Sequence, residues 1–178
     1  MYRKYKIIDD FWCYFVTFST IKWIRIFEYE EPRTIFINSV KFLQQTQGLQ
    51  VHAYVIMPNH VHMIVSDKDK NNKRLKDVMT SLRSYSAKKI IEVIKNKIPK
   101  YLPVLKEHNL KDRFLMLWQP GIWPKGIDFD EMYWQKIGYI HNNPVNAGLV
   151  EFPEDWAYSS ARQFLCDGDG PIDIFIPN

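Results

Sequence analysis

Val55-Ile56-Met57-Pro58-Asn59-His60-Val61-His62-Met63-Ile64-Val65 is the stretch that decides the fold. Pro58-Asn59 supplies turn chemistry between two β-rich runs, 49–57 and 60–66, and both the lengths and the turn residues fit a hairpin. Side chains alternate between the two faces of a strand. Val61, Met63 and Val65 therefore point one way, while His60 and His62 point the other, roughly 7 Å apart along the chain. Two imidazoles so placed can converge on one ion. An H-x-H pair by itself is common and often marks only hydrogen-bonded surface residues. Its position here, at the start of a buried-looking strand directly after a tight turn, raises the signal, and Asn59 is placed to orient a ligand or a substrate.

Working outward, residues 11–19 are aromatic and β-rich, with Trp12, Tyr14, Val16 and Phe18 on one side of a first strand. Residues 33–47 follow Pro32, repeat apolar positions at Ile35, Phe36, Val40 and Leu43, and stop at Gly48, which reads as an amphipathic helix. A long helix is expected over 73–97, with Leu75, Val78, Met79, Leu82, Tyr85 and Ile90 toward the core, ended by Pro99 and Pro103. Residues 114–119 and 122–127 offer one or two further strands around Pro120-Gly121. Asp128 or Asp130 can cap a helix to about residue 142, broken by Pro144, and a last helix is expected from near 153 to about 165. This order of elements points to an α+β sandwich in which helices pack on an antiparallel sheet.

The chain has 178 residues, 46% hydrophobic and 15% aromatic, enough for one sizeable core, and we read residues 1–178 as a single domain. No uninterrupted apolar run of signal-peptide or membrane length occurs, so no membrane association is expected and the protein is expected to be soluble and cytoplasmic. Cys13 and Cys166 form neither a disulfide framework nor a metal-ribbon spacing. The net charge of +4 is unevenly placed: between Asp67 and Lys100 there are eleven Lys or Arg against four acids. Such a block suggests a polyanion footprint, for which Lys73, Arg74, Lys76, Arg83, Lys88 and Lys89 are the candidates. Taken alone, the block reads better as a solvated helix face with a lysine bias.

A mononuclear site built on two histidines needs a further ligand and an open coordination position. Tyr139-Ile140-His141-Asn142-Asn143-Pro144 supplies the distant candidate, because Tyr139 and Asn143 lie four apart and share a helix face. An Asn143 oxygen would complete the site while Tyr139 reaches a phosphorus. His141 is an alternative ligand if the helix phase shifts by one residue. On spacing alone Tyr139 is a half-buried aromatic beside the Met132, Tyr133 and Ile140 stripe. An unperturbed tyrosine hydroxyl, with pKa near ~10, is a poor nucleophile at neutral pH without a neighbouring cation or base. A metal assists by polarising the phosphate, and a phosphotyrosyl ester conserves the phosphodiester's energy, so no ATP site is needed. No Gly-rich phosphate loop is present.

At these residues the chain resembles the HUH single-tyrosine transposases, and most closely the REP-associated tyrosine transposases of the IS200-like group. Residues 55–65 look like the family's histidine–hydrophobic–histidine strand, and Leu117-Trp118-Gln119 looks like its central strand. The run from Tyr139 through Asn143-Pro144-Val145-Asn146-Ala147-Gly148 to Val150, with Trp156 and Ser159-Ser160, looks like the tyrosine helix and its C-terminal signature. The resemblance implies a ferredoxin-like fold, with helices on one face of an antiparallel sheet and a further helix presenting the tyrosine to the open face. It implies Mg²⁺ or Mn²⁺, single-stranded DNA carrying a hairpin, and a covalent 5′-phosphotyrosine intermediate. By the same matching His60 and His62 are metal ligands, Asn143 is the third ligand, in a role filled by Gln in related transposases, and Tyr139 is the nucleophile. Imidazole ligands suit Mn²⁺ better than Mg²⁺ on softness. Relatives occur as monomers and as homodimers. Two rival readings stay open: a non-catalytic module binding single-stranded nucleic acid, and a small zinc hydrolase.

Overall fold

The structure, a computed structural model, describes residue 7 and residues 11–106, 115–121, 124–127 and 131–177. The elements run β1 (Cys13–Ser19), α1 (Glu30–Gln47), β2 (Leu49–Met57), β3 (His60–Asp67), α2 (Asn72–Lys97), α3 (Leu102–Lys106), β4 (Lys125–Ile127), α4 (Glu131–Asn146) and α5 (Ala161–Leu165). The strands form an antiparallel sheet in the order β2-β3-β1-β4. This is the expected ferredoxin-like α+β arrangement. Among the described residues no helix is long and apolar enough to cross a membrane.

Alternation sorts the strands onto two faces. Tyr14, Val16 and Phe18 of β1 and Val61, Met63 and Val65 of β3 join Phe36 and Val40 of α1 and Leu75, Met79 and Leu82 of α2 in the larger core. On the other face Cys13, Ala53, Val55 and Ile64 pack against Tyr133, Ile137 and Ile140 of α4. Trp12 departs from the alternation expected of it: it precedes β1 and packs with the α4 cluster. A bulge between Val51 and Ala53 shifts the parity of β2, so Val51 faces the larger core and Ala53 the α4 side.

Local chemistry explains most boundaries. Gly48 ends α1 in the left-handed region at φ 69°. The Asn71 side chain caps α2 by accepting from the Arg74 amide at 3.0 Å. Three expectations are corrected. Residues 117–119 form no strand: Trp118 makes an isolated bridge with Thr20 and plugs into Phe18, Phe27 and Phe36, while the fourth strand is the three-residue β4. Helix α4 does not break before Pro144 but continues to Asn146, since near a helix end a proline forfeits one backbone bond. The expected cap at Asp128 or Asp130 lies outside the described residues. The C-terminal helix is split into a 3₁₀ turn at Pro153–Asp155 and α5, because the chain between them runs along β2. There Ile56 donates to the Tyr158 carbonyl at 2.8 Å, Ser160 donates to the Tyr54 carbonyl at 3.0 Å, and Ser159 bridges Val55. These bonds cover an edge that would otherwise be open to pairing with another chain.

Candidate active site

The α4 face of the sheet gathers the polar side chains. Antiparallel pairing sets Thr17 opposite His62 and Ser19 opposite His60. Thr17 Oγ1 lies 2.8 Å from His62 Nδ1, and the Phe15 ring stacks on His62 at 5.1 Å. His60 Nδ1 donates to Asn59 Oδ1 at 2.7 Å. Because that oxygen can only accept, His60 carries its proton on Nδ1 and keeps the lone pair on Nε2. The two imidazole centroids are 4.7 Å apart.

Helix α4 brings the distant candidates to them. The Tyr139 hydroxyl reaches to 3.5 Å of His62 Nε2, and the residue is 44% exposed. One turn on, the Asn143 side chain comes close enough to His60 to oppose the lowering of its pKa. Lys136, one turn earlier, places Nζ 5.3 Å from the Tyr139 ring centroid and 5.1 Å from that of Phe15. His60, His62, Tyr139 and Asn143 therefore meet at one place, approached from solvent on the tyrosine side.

Buried polar contacts hold the helix there. Tyr133 of α4 meets His52 Nδ1 at 3.1 Å, and His52 Nε2 meets Ser66 Oγ at 2.8 Å. At the other end His141 Nε2 lies 2.9 Å from Ser160 Oγ, which also accepts from the Tyr54 amide at 3.0 Å. His141 is thus committed to holding the helix and faces away from His60 and His62. Burial is the first cause that lowers every one of these histidines: His52 and His141 fall to about 4, and His62 to about 3 with help from the charges of His60 and Lys136. His60 is lowered by burial too, partly opposed by the Asn143 side chain. Neutral imidazoles at physiological pH keep their lone pairs available to a cation. Among the described residues no three His, Cys, Asp or Glu side chains cluster to hold a metal, so a third protein donor beside the histidines would be the Asn143 amide.

The basic candidates lie elsewhere, on α2 across the sheet. Arg74 is paired with Asp67 at 2.6 Å and Asp69 at 2.7 Å. The Arg83 guanidinium donates to the Gln119 and Gly121 carbonyls, and Lys89 pairs with Glu92 at 3.2 Å. Lys73, Lys76 and Lys88 are exposed. The sequence reading passed over Thr17 and Lys136. Thr17 shares a face with Phe15 and Ser19 by alternation, but only the β1–β3 register shows that it meets His62. Lys136 precedes Tyr139 by three residues, a spacing that puts both on one helix face and was available from the sequence.

Residues 14–123 match the family model described as IS200-like transposase, a span holding both site histidines and ending before α4. The chain belongs to the IS200-like transposase family. Among relatives, a Haemophilus influenzae protein named as a REP-associated tyrosine transposase, its role marked provisional in that name, is 27% identical over 112 residues. That match takes in 61% of this chain and 56% of the relative, so the chain spans little more than half the relative's length. Among solved structures, a REP-associated tyrosine transposase bound to a REP hairpin aligns with a TM-score of 0.59 at 20% identity, covering 99% of this chain and 92% of that one. This IS200-like chain therefore shares its α+β fold with that transposase.

Proposed function

We propose that residues 1–178 form a single-domain, metal-dependent endonuclease and strand transferase for single-stranded DNA, with Tyr139 as nucleophile. The observation that carries this reading is the 3.5 Å approach of the Tyr139 hydroxyl to His62 Nε2, beside His60, at an opening to solvent. Family membership and the relative solved with a REP hairpin support hairpin-bearing single-stranded DNA as the substrate.

The donor set fits a catalytic Mg²⁺ or Mn²⁺. His60 Nε2 is left as a lone pair by the Asn59 contact, His62 is neutral, and the Asn143 amide sits against His60. His60, His62 and Asn143 would hold the ion, leaving positions open for substrate, whereas a closed structural zinc site would need a fourth protein ligand. When bound, the ion supplies Lewis-acid polarisation of a phosphate oxygen. The chain's own residues do the rest. The Tyr139 oxygen attacks phosphorus in line, an O–P bond forms, and the bond to the 3′-oxygen breaks. The products are a 5′-phosphotyrosyl ester and a free 3′-hydroxyl, the phenolic proton passing to solvent and solvent returning one to the leaving 3′-oxygen. Attack by a 3′-hydroxyl on that ester reverses these changes and rejoins the strand. Thr17 and Asn59 fix the imidazole orientations, and the His52 and His141 contacts fix α4. Lys73, Arg74, Lys76, Arg83, Lys88 and Lys89 belong to a second surface on α2 that meets duplex phosphates of the hairpin, as a monomer or within a homodimer.

The test incubates the full chain with Mn²⁺ and single-stranded oligonucleotides that include palindromes from the DNA flanking its gene, read by denaturing gel and mass spectrometry. A metal-dependent adduct on Tyr139, absent from Tyr139→Phe, is expected. Binding to the pool with no adduct, and with Tyr139→Phe indistinguishable from the parent, points instead to a non-catalytic nucleic-acid module.

A further inference from the structure

Trp23 breaks the pattern of its own segment. In Ile21-Lys22-Trp23-Ile24-Arg25-Ile26-Phe27 the other apolar side chains are buried, from 0% to 7% exposed, and Trp23 alone stays out at 52%. Its backbone is unusual as well. Lys22 and Trp23 both hold left-handed φ, 45° and 56°, a region that bulky L-residues rarely adopt and do not adopt in succession without firm anchoring. The anchoring is visible on both flanks. The Thr20 hydroxyl lies 2.8 Å from the carbonyl oxygens of both Ile24 and Asn59, the Thr20 amide donates to Asn59 at 3.0 Å, and the Ile21 amide donates to Leu117 at 2.7 Å. Gln119 Nε2 donates to the Thr20 carbonyl at 3.1 Å, and the Phe27 amide to Pro58 at 2.9 Å. The loop is therefore tied to the same Pro58-Asn59 turn whose side chain orients His60. Strained backbone held this way is found where a side chain must be presented.

What it presents is an indole 5.9 Å, centroid to centroid, from the His60 ring and at 84° to it. That separation is within about two nucleotide rises, taking about 3.4 Å per nucleotide along a strand. A flat, half-exposed indole beside a phosphate-cutting centre matches what single-strand binders use to hold an unpaired base, and every base has a π-face to offer.

We propose that Trp23 is a stacking platform for an unpaired base next to the scissile phosphate, and so a residue that sets the register of the strand in the site. This rests on the reading that single-stranded DNA enters that site. Stacking on an aromatic is lost when either partner is removed, and loss of the indole costs about 5- to 150-fold in affinity.

The experiment measures binding by fluorescence anisotropy in the Tyr139→Phe background, where no adduct can form, with Mn²⁺ present. The probes are a twelve-nucleotide oligothymidylate and the same phosphodiester backbone with every base removed. The readout is the ratio of the two affinities, compared between Trp23 and Trp23→Ala, with Trp23→Phe and Trp23→Leu as variants that fill the same space with and without a ring. We expect Trp23→Ala and Trp23→Leu to cut that ratio at least fivefold, and Trp23→Phe to retain most of it. A purely structural role for Trp23 lowers affinity for both probes alike and leaves the ratio unchanged, which overturns the proposal while leaving adduct formation on Tyr139 to stand. Failure of the oligothymidylate to bind overturns it together with the single-strand reading.

Discussion

The two faces of the sheet are made by the same strands and are held to their helices in different ways. Toward α1 and α2 the contact is apolar and closed: Tyr14, Val16, Phe18, Phe36, Val40, Met63 and Met79 are all at most 1% exposed. Toward α4 the apolar cluster is smaller, and three buried histidines, His52, His62 and His141, sit among hydroxyls from Thr17, Ser66 and Ser160. Dispersion packing fills space but does not fix a helix's rotation and height to a fraction of an ångström, whereas a hydrogen bond at each end does. The face that carries Tyr139 is the one secured by directional bonds.

The sharpest contrast comes from emptying the closed face. Phe36 is fully buried against the rings of Phe18, Phe27 and Trp118. Phe36→Ala is expected to lower stability by about 3–5 kcal/mol through lost transfer energy and a residual cavity. Adduct yield per folded molecule should stay at the parent level. Denaturant unfolding paired with the adduct assay checks both, and a specific loss of adduct in the folded fraction would show that the faces are coupled rather than separate.

The same contrast explains what the sequence could and could not disclose. The β2–β3 hairpin, α1 and α2 were legible to within a few residues because each rests on a period of its own: alternation in the strands, apolar helix positions closed by Gly48 or Pro99. His60, His62, Tyr139 and Asn143 could be singled out by spacing within one element at a time. The fourth strand could be placed only within the candidate run 122–127, since Lys-Gly-Ile carries no periodic signal of its own, and the more strand-like run around Trp118 could not be told for the ring plug it is. Nor could the partners of the histidines, because Thr17 meets His62 through sheet register across 45 residues and Ser160 meets His141 only after the C-terminal segment pairs with β2. Trp23 carries no spacing signal, and its exposure comes from a loop conformation set by tertiary anchors.

Acid should act on the α4 face first. His52 and His141 are held near 4 by burial, against 6.5 for the free imidazole. Below about pH 6.5 the unfolded chain takes up protons that the folded chain does not, so their contribution is fully present above that pH and is lost as pH falls toward 4. The loss is on the order of 2–3 kcal/mol for each histidine. His52 faces Tyr133, Ser66, Trp12 and Phe175, and His141 faces Ser160 and Phe164, so neither has an acidic partner among these contacts to take the charge. Melting temperature followed from pH 7 to pH 4 should fall more steeply for the parent than for His141→Gln, while Phe36→Ala should run parallel to the parent. Equal slopes for parent and His141→Gln would show that the buried imidazole is not what acid attacks.

The smallest expected effect tests whether the open face is tuned electrically as well as held in place. Lys136 Nζ lies 5.3 Å from the Tyr139 ring, on the same helix face and beside Phe15. Burial, then the charge of Lys125, draws its pKa down from the ordinary lysine value, because its ammonium sits where solvation is reduced. A cation there favours negative charge developing on the tyrosine oxygen as it attacks. At an effective dielectric of about 20 the Coulomb attraction over such a distance is about 3 kcal/mol, and solvent screening of a partly exposed lysine reduces it to roughly 1 kcal/mol. Lys136→Met keeps the stem and removes the charge, and is expected to slow adduct formation about fivefold at saturating DNA. Lys136→Arg should restore most of the rate, since charge rather than proton transfer is what the geometry offers. If methionine and arginine are equally slow, the side chain acts by shape or by proton exchange, and the proposed phenolate would draw its stabilisation from the histidine side of the site alone.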